Sequence, residues 1–508
     1  MMSKVYTAGL WGLDGFPVAV ECFADRGLPN IDIIGLPDAS VKEAIGRVSA
    51  VCRNNALPFV KGRTTVSLAP ADMKKAGSSY DLAILTSLLK QNILSEVSLE
   101  NKCFIGELSL SGELRPCKGV LSMCLSARKE GLTEIFVPLE NALEAAIVDS
   151  MTVYGVRHVK DMVRHLLGEE PLTPTVYSVA ASGDFVSEVD FADIKGQEYA
   201  KRAIEIAAAG GHNILLIGPP GSGKSMLAKA IPGILPPLEF EETVETTKIH
   251  SIAGTLPSTA SLMQSRPFRS PHHTMSSVGL AGGGSIPAPG ELSLAHNGVL
   301  FLDELPEYEK KSLEVLRQPL EDRRITITRA SGKVTFPAHF MLICAMNPCP
   351  CGFYGSDQRP CTCTRQAMDR YIGKISGPLL DRIDMHIEVP AISFGEITSS
   401  TRTESSQIVR ERVRKAREVA IKRYKNIGVA SNGGLSGKQT KDLCRYDEDA
   451  NLVLESAFEK MRLSARGFDR ILRLSRTIAD LAESELITAE HILEAVQMRS
   501  LDRKYFGE

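Results

Sequence analysis

The spacing of apolar and polar residues predicts an α/β region over residues 1–168, followed by a linker. An apolar run at 31–34 ends in a Gly-Leu-Pro turn, which predicts a strand. Beyond that turn the apolar residues recur at helical spacing, and Asp38 or Ser40 is a suitable N-cap for the helix. Residues 169–189 contain two prolines, several serines and threonines and little periodicity, a composition typical of a linker.

A second α/β pattern covers residues 190–395, and a mostly helical pattern covers residues 396–508. Apolar runs at 214–217, 299–302 and 341–346 predict buried strands, with helical stretches between them. We therefore expect an α/β fold with a doubly wound parallel sheet of the P-loop NTPase type. An N-terminal α+β domain precedes this core, and a helical lid domain follows it.

Composition and charge indicate the general class of protein, but they do not indicate its chemistry. The chain has 508 residues, 43% hydrophobic and 24% charged, and is long enough for about two to four domains. The net charge of −2 gives no overall basic field, so DNA contact would require a local concentration of basic groups. The N-terminus lacks the apolar core of a signal peptide, and no apolar run reaches the ~18 residues of a membrane span. We expect a cytoplasmic protein without membrane contact.

A phosphate-binding loop is predicted where the apolar run 214–217 meets a helical stretch. The motif GxxxxGK[ST] is formed by Gly218, Pro219, Pro220, Gly221, Ser222, Gly223, Lys224 and Ser225. Backbone N–H groups of such a loop turn inward around phosphate oxygens, and the helix N-terminus adds its positive end. We expect Lys224 to neutralise the β- and γ-phosphates of ATP and Ser225 to ligate Mg²⁺.

Two further predicted strands end in polar side chains. The run 299–302 is followed by Asp303 and Glu304, and the run 341–346 is followed by Asn347. In doubly wound sheets, ligands bind at the carboxyl ends of the strands. We therefore expect Asp303 to hold the Mg²⁺ shell and Glu304 to polarise the attacking water. Asn347 would orient that water or touch the γ-phosphate.

Two arginines in the second half of the chain are candidates for phosphate contact. Arg382 follows a helix-like turn and could act as a finger on the nucleotide of a neighbouring subunit. Its alternative is a salt bridge with Asp381 or Asp384. Arg466 lies in the first turn of a strongly periodic helix, where a cation opposes the helix dipole. That unfavourable position suggests a phosphate or carboxylate partner.

Four of the 11 cysteines are concentrated in the segment 349–363. They form two C-x-C pairs, Cys349 with Cys351 and Cys361 with Cys363. Four thiolates can make a closed tetrahedral Zn²⁺ site, although C-x₂-C is the usual spacing. Free thiols and a redox disulfide are the alternatives. We favour a structural Zn²⁺ because thiols stay reduced in the cytoplasm.

Two basic segments are candidates for DNA contact. Residues 266–274 contain two arginines and two adjacent histidines, and glycines follow at 282–284. In a ring this segment could project into the pore and grip phosphates, or it could pack at a subunit contact or under the nucleotide. The basic helix 410–417 is most simply a solvated face and is the weaker candidate.

Longer motifs along the chain resemble the ComM/YifB family, the magnesium-chelatase-like AAA+ ATPases. These motifs are GLPDASVKEAIGRV, LAPADMKKAGSSYDLAI, GPPGSGKS, FRSPHHT, GELSLAHNGVLFLDELPE, NPCPCG, GPLLDRIDMHIEV and SARGFDRILRLSRTIADL. The resemblance covers essentially the whole chain. It implies an ATP- and Mg²⁺-dependent homohexamer that acts on DNA, as a helicase for branch migration in recombination and natural transformation.

The resemblance also implies a role for each candidate residue by matching position. The implied roles are Walker A for Lys224 and Ser225, Walker B for Asp303 and Glu304, sensor 1 for Asn347, sensor 2 for Arg466 and the trans-acting arginine for Arg382.

The N-terminal domain resembles the proteolytic domain of Lon-type proteases, which use a Ser–Lys dyad. Ser79 falls at the position of the nucleophile, but the position of the lysine holds Leu121, and Lys118 is three residues away. We expect a binding or ring-assembly platform without proteolytic activity. The rival functions are a motor subunit for metal insertion into a porphyrin, a Lon-like ATP-dependent protease, and a nucleotide-switched scaffold.

Overall fold

The computed structural model describes residues 2–59, 62–177, 188–257, 262–284, 287–329, 332–357, 359–398, 403–501 and 505. Part of the predicted linker, residues 178–187, and residue 358 of the cysteine-rich loop lie outside this set. The chain forms two compact units. The first comprises Met1–Ser182 with Phe240–Met263, and the second comprises Gly183–Glu239 with Gln264–Glu508.

The first half of the chain alternates strands and helices. Its elements are β1 (Met2–Trp11), β2 (Asp14–Asp25), β3 (Asn30–Ile34), α1 (Ala39–Asn54), β4 (Arg63–Ala69), α2 (Asp81–Leu89), β5 (Lys102–Phe104), β6 (Glu107–Leu108), β7 (Leu114–Arg115), α3 (Val120–Lys129), β8 (Glu134–Pro138), α4 (Ala142–Ala145), β9 (Thr152–Val156), α5 (Val159–Leu166), α6 (Glu198–Gly210), β10 (Ile214–Ile217), α7 (Lys224–Ile234) and α8 (Phe240–Ala253).

The second half begins with short strands and ends in helices. Its elements are β11 (Phe268–Arg269), α9 (Ser277–Ala281), β12 (Gly282–Gly283), β13 (Ala288–Pro289), α10 (Glu291–Leu294), β14 (Val299–Leu302), α11 (Lys310–Glu314), α12 (Arg317–Asp322), β15 (Arg324–Arg329), β16 (Gly332–Pro337), β17 (Met341–Met346), α13 (Arg365–Ile372), α14 (Gly377–Leu380), β18 (Met385–Glu388), α15 (Phe394–Thr398), α16 (Ser406–Tyr424), α17 (Gly437–Leu443), α18 (Glu448–Met461), α19 (Ala465–Leu481) and α20 (Ala489–Gln497).

The first unit is built on a seven-stranded mixed sheet with the order β3-β4-β2-β1-β5-β8-β9. β1 pairs antiparallel with β2 and parallel with β5. The predicted strand at 31–34 is confirmed as β3, and the helix predicted beyond it is confirmed as α1. Asp38 caps α1 by accepting a hydrogen bond of 2.9 Å from the Val41 N–H. The α+β character expected for this region is therefore confirmed.

Helix α8 belongs to this first unit although it follows the P-loop in the chain. Its Ser251 hydroxyl donates a short hydrogen bond to Glu144, which is 4% exposed. Glu144 also accepts a hydrogen bond of 2.8 Å from the Leu121 N–H. A buried carboxylate with these donors fixes α8 against α3 and α4. Hydrophobic periodicity could not assign this helix, because α8 has little amphipathic asymmetry.

The second unit contains a five-stranded parallel sheet with the order β11-β14-β17-β10-β18. Every residue of β10, β14 and β17 is buried, as expected for strands covered on both faces. The C-terminal helices share one core with this sheet, since Val413 of α16 and Ile471 of α19 pack in the same cluster as Ile214. The predicted parallel sheet and helical C-terminal domain are confirmed.

Candidate functional site

The P-loop residues lie between β10 and α7, where the sheet presents its carboxyl edge. Gly221 and Gly223 have φ values of 75° and 90°, which glycine adopts at little cost. The Lys224 ammonium is nearly buried and donates to the carbonyl oxygens of Gly218 at 2.8 Å and Pro219 at 2.9 Å. Burial lowers the pKa of Lys224 to about 8, opposed by the charge of Asp303. A phosphate beside this ammonium would supply the compensating charge that the carbonyls only partly provide.

Ser225 and Asp303 form a pair of oxygen ligands suited to Mg²⁺. The Ser225 hydroxyl donates to Asp303 Oδ2 at 2.7 Å, and the Glu304 N–H donates to Asp303 Oδ1 at 2.9 Å. Mg²⁺ prefers hydroxyl, carboxylate and water oxygens and commonly takes one or two protein ligands beside phosphates. The donor set therefore fits a phosphate-bound Mg²⁺.

Asn347 lies at the end of β17, directly beside β10 in the sheet. Its Oδ1 is 3.3 Å from Lys224 Nζ. The structure thus brings Lys224, Ser225, Asp303 and Asn347 together at one edge, although they come from three separate strand ends. This is the arrangement expected from the parallel order β14-β17-β10.

Glu304 directly follows Asp303 but faces a different partner. Its backbone has a φ of 50°, in the left-handed region that non-glycine residues seldom adopt. The Glu304 carboxylate is 3.1 Å from Nδ1 of His273. This pair could not be predicted from the sequence, because its members are 31 positions apart and no motif relates them.

A cavity of about 330 Å³ opens beside the P-loop. Its walls include Gly218 and Pro219, the segment 390–393, and the aromatic rings of Tyr354 and Tyr505. Clefts of this size hold small-molecule ligands. The two tyrosines were not identified from the sequence, because aromatic residues distant in the chain carry no spacing signal.

Arg382 and Arg466 lie together at the opposite edge of the sheet. Arg382 precedes β18, and its backbone carbonyl accepts a hydrogen bond of 2.9 Å from Asn213, the residue before β10. Both arginines line one cavity of about 380 Å³. The parallel strands β10 and β18 have four residues each, so this edge is about 13 Å from the carboxyl edge.

The Arg382 guanidinium is held by a short ion pair with Glu321 and by the Pro378 carbonyl at 2.5 Å. The salt bridges considered with Asp381 and Asp384 are not the ones formed. Instead, Asp384 accepts from the Asn213 N–H at 3.0 Å and lies 3.8 Å from Arg470. Among the residues that the structure describes, none accepts a hydrogen bond from the buried Arg382 Nε, which leaves it available to a further acceptor.

The four clustered cysteines converge although the chain between them is long. Cys349 Sγ is 3.4 Å from Cys351 Sγ and 3.7 Å from Cys361 Sγ, and Cys351 Sγ is 3.6 Å from Cys361 Sγ. All four sulfurs, including that of Cys363, lie within 4.8 Å of one another. Tetrahedral Zn–S bonds of about 2.3 Å require sulfurs about 3.8 Å apart, so this set fits Zn²⁺.

Within the described part of the chain, no lysine contacts Ser79 of the N-terminal serine motif. Leu121, at the position of the Lon lysine, is fully buried in α3. The Lys118 ammonium lies 3.5 Å from the Ala253 carbonyl and packs beside Gly254. The described contacts therefore place Lys118 against the end of α8 and give Ser79 no lysine base.

Most arginines of the two basic segments have partners within the chain. Arg266 donates to the carbonyls of Pro236 and Asn297 at 2.7 Å, and Arg269 forms a bidentate pair with Glu291 at 2.7 Å. In α16, Arg410, Arg412, Arg414 and Arg417 each bind a carboxylate or a backbone carbonyl. These contacts favour packing roles over phosphate contact for both segments.

A different element exposes its basic residues. The hairpin β15–β16 carries Arg324, Arg329 and Lys333 as exposed side chains. Arg329 Nη2 lies 3.1 Å from the place where a Cβ on Gly283 would stand, so the hairpin β12–β13 is adjacent. This surface could not be predicted from the sequence, because alternating Thr, Ile and Arg is typical of any half-exposed strand.

Family models match three consecutive parts of the chain. The model described as subunit ChlI of Mg-chelatase matches residues 20–141. That of magnesium chelatase, subunit ChlI, matches residues 190–397, and that of the ChlI C-terminal region matches residues 403–499.

Two relatives align over nearly the whole chain. Competence protein ComM of Haemophilus influenzae is 42% identical over 508 residues, covering 99% of this chain and 98% of ComM. YifB of Salmonella typhimurium is 40% identical, with the same coverage. A shorter similarity of 29% over 108 residues links 20% of this chain to 13% of the Lon protease of Brevibacillus choshinensis. Among the described residues, no helix is both long and apolar enough to cross a bilayer.

Proposed function

Because this chain belongs to the ComM/YifB family of magnesium-chelatase-like AAA+ ATPases, we propose that it is a homohexameric, ATP-driven motor that acts on DNA. The Haemophilus influenzae relative is named as a competence protein. By this relationship, the motor would remodel branched DNA in recombination and natural transformation as a branch-migration helicase.

The observation that carries the proposal is the separation of the arginines from the P-loop. Arg382 and Arg466 share one cavity at the amino edge of the sheet, whereas Lys224 lies at the carboxyl edge. Neither arginine is placed to reach a nucleotide at its own P-loop. A ring resolves this, because the amino edge of one subunit can face the nucleotide of the next.

In this arrangement, each residue has a distinct task. Lys224 neutralises the β- and γ-phosphates, and Asn347 orients the attacking water. Glu304 accepts the proton of that water. Ser225 and Asp303 would hold Mg²⁺, which neutralises charge on the phosphates. Arg382 of the neighbour stabilises charge in the transition state, an effect worth about 10³–10⁵ in rate for trans-acting arginines.

The DNA contact is assigned to the hairpins β15–β16 and β12–β13. Arg329 and Lys333 are exposed on the first hairpin, and Gly282 of the second allows the close approach of the neighbouring strand β13. Phosphate contacts of this kind are independent of sequence and weaken with salt. In a chain with a net charge of −2, such contact requires basic groups gathered locally, as Arg329 and Lys333 are on this hairpin.

The first test measures ATP hydrolysis without DNA and with single-stranded, duplex and four-way-junction DNA. We expect strong stimulation by DNA, with Lys224→Ala as the inactive control. If assembled rings hydrolyse ATP without DNA and none of the DNAs raises that rate, the proposal of a DNA motor is contradicted.

The shared site has its own test. Lys224→Ala and Arg382→Ala subunits are each inactive alone, but mixed rings pair an intact Lys224 with an intact Arg382. In an equal random mixture, about a quarter of the sites are complete. Recovery of activity in that proportion supports trans action, and a mixture as inactive as its components contradicts it.

The second candidate is a motor subunit for metal insertion. The descriptions of the matched family models favour it, since all three refer to magnesium chelatase. An ATPase that ignores DNA and responds to a porphyrin-binding partner protein would support this function over the first.

We also propose a structural Zn²⁺ held by Cys349, Cys351, Cys361 and Cys363. The loop that they close carries Tyr354, which lines the cavity beside the P-loop, and its Gly352 packs against Pro220. Zn²⁺ would therefore fix one wall of the nucleotide site. One zinc per chain by elemental analysis, lost in Cys361→Ser with a raised KM for ATP, is the expected result. Absence of zinc after purification without chelators would contradict it.

A further inference from the structure

Asn213 is the residue directly before β10, and its side chain bonds to the starts of the two neighbouring strands. The amide Nδ2 donates to the Arg382 carbonyl at 2.9 Å, and Oδ1 accepts from the Leu342 N–H at 2.9 Å. Arg382 lies shortly before β18, and Leu342 is the second residue of β17. Only one orientation of the amide offers a donor to the carbonyl and an acceptor to the N–H, so the two bonds together fix this side chain.

The backbone of Asn213 holds the same segment that carries Arg382. Its N–H donates to Asp384 Oδ2 at 3.0 Å, and its carbonyl accepts from the N–H groups of Asp384 at 2.9 Å and Met385 at 3.1 Å. The ladder between β10 and β18 begins at Ile214 and Met385, so Arg382 lies outside it. The side-chain bond from Asn213 therefore extends the attachment beyond the ladder, as far as Arg382.

Asn213 and Arg382 also line the same cavity at the amino edge of the sheet. Both polar atoms of the Asn213 side chain are bonded within the sheet, so this residue is suited to hold Arg382 and not to bind a phosphate itself. The placement of an arginine that acts on a phosphate has to be accurate, because a displacement of about 1 Å in an active site can cost about 10²-fold in rate.

Strand β10 connects Asn213 to the P-loop of the same subunit. The strand has four residues, all of them buried, and Gly218 of the P-loop follows directly. In a ring, the carboxyl end of β10 would serve the nucleotide of its own subunit. The amino end would hold the arginine that serves the nucleotide of the next subunit.

We propose that Asn213 is a positioning residue for Arg382, which it fastens to the strand that leads into the P-loop. This inference rests on the proposed function, because it needs Arg382 to act on the nucleotide of a neighbouring subunit. Loss of the Asn213 side chain should therefore impair hydrolysis at the neighbour's site and leave the site of its own subunit intact.

The test compares Asn213→Asp and Asn213→Ala with the wild type. A carboxylate keeps an acceptor for the Leu342 N–H but cannot donate to the Arg382 carbonyl, whereas alanine loses both bonds. We expect each variant to lower kcat by about tenfold, the equivalent of one lost hydrogen bond. The KM for ATP should stay within about twofold of the wild type, because the P-loop that binds ATP is unchanged. A wild-type kcat in both variants would overturn the inference.

Mixed rings decide which site is impaired. In an equal random mixture of Asn213→Asp and Lys224→Ala subunits, about a quarter of the sites pair an intact Lys224 with a neighbour that keeps Asn213. The mixture should reach about a quarter of the wild-type rate, roughly two to three times the rate of Asn213→Asp alone. If Asn213 instead supports only its own P-loop, the mixture should fall to about half the rate of Asn213→Asp alone, and the inference is overturned.

Asn213→Ala with Lys224→Ala repeats this measurement without the added charge, in case Asn213→Asp fails to fold beside Asp384. Thermal melting of each variant separates a loss of rate from a loss of structure.

The two hypotheses fail in distinguishable ways. The mixture of Lys224→Ala with Arg382→Ala tests trans action by itself, since it contains no change at Asn213. If that mixture stays inactive, trans action is contradicted and the role of Asn213 is contradicted with it. If that mixture recovers while the mixtures with the Asn213 variants do not, only the role of Asn213 is contradicted.

Discussion

The two units of this molecule each contain a serine in an enzyme-like motif, and they differ in what surrounds it. Ser225 of the second unit lies 2.7 Å from Asp303 and follows Lys224. Ser79 of the first unit occupies the position of a protease nucleophile, but Leu121 fills the place of its lysine. Both units keep their sheets and cores. A protease-like fold does not by itself supply protease chemistry, because packing needs only apolar residues of suitable size, whereas catalysis needs a specific base within reach.

The largest difference is expected between the lysines of the two units. Lys224→Ala should lower ATP hydrolysis by about 10²–10³, because a charge on the transferring phosphate loses its partner. Lys118→Ala should leave hydrolysis unchanged, since its ammonium contacts only the end of α8 among the described residues. Steady-state phosphate release measures both. Equal losses in the two variants would remove the contrast and would indicate that the N-terminal unit takes part in hydrolysis.

The serines give the next effect in size. Ser225→Ala removes a proposed Mg²⁺ ligand. The Mg²⁺ concentration needed for half-maximal hydrolysis should rise by about 10–100-fold, the range seen when supporting groups of metal sites are lost. A Mg²⁺ titration at saturating ATP measures it.

Ser79→Ala is the matched change in the first unit. The rate of ATP hydrolysis should equal that of the wild type, and we expect neither protein to cleave casein. ATP-dependent cleavage in the wild type that disappears in Ser79→Ala would show that the first unit retains an active protease.

The parts of the site that are local in the chain could be predicted from the sequence. The P-loop spans eight consecutive residues between a strand and a helix, and Asp303 directly follows its strand, so spacing alone indicates them. The contact of His273 with Glu304 and the place of Tyr354 beside the P-loop were not predicted, because the residues involved lie far apart in sequence. The pairing of Arg382 with Glu321 was missed for the same reason. Helix α8 shows the limit for domain boundaries, since it lies within the ATPase region of the chain but belongs to the first unit.

The smallest effect concerns the pH dependence of stability. Each unit contains a buried carboxyl group, and the pKa is raised in one of them and lowered in the other. Burial raises the pKa of Glu144 in the first unit above its ordinary value of 4.5. Asp384 in the second unit is also buried, but the hydrogen bond from His212 and the charges of Arg473 and Arg470 hold its pKa well below 3.8.

The sign follows from which state binds more protons. A raised pKa means that the folded first unit binds the extra proton, so the stability from Glu144 is present below pH 4.5 and is lost as pH rises through the folded pKa. The contribution of Asp384 is present above pH 3.8 and is lost as pH falls toward its lowered pKa. Between pH 4.5 and 7, therefore, Glu144 weakens the first unit as pH rises, whereas Asp384 does not change the second.

Trp11 makes this measurable, because it is the sole tryptophan of the chain and packs against the core of the first unit. Urea unfolding followed by Trp11 fluorescence should show the free energy of unfolding falling over this range, as Glu144 loses its proton in the folded state. Glu144→Gln should remove the contribution of Glu144 to the change in unfolding free energy with pH. The contribution of Asp81 should remain, because burial also raises the pKa of Asp81. A slope that Glu144→Gln leaves intact would mean that Glu144 is ionised in both states, and that its bonds to Ser251 and Leu121 outweigh its burial.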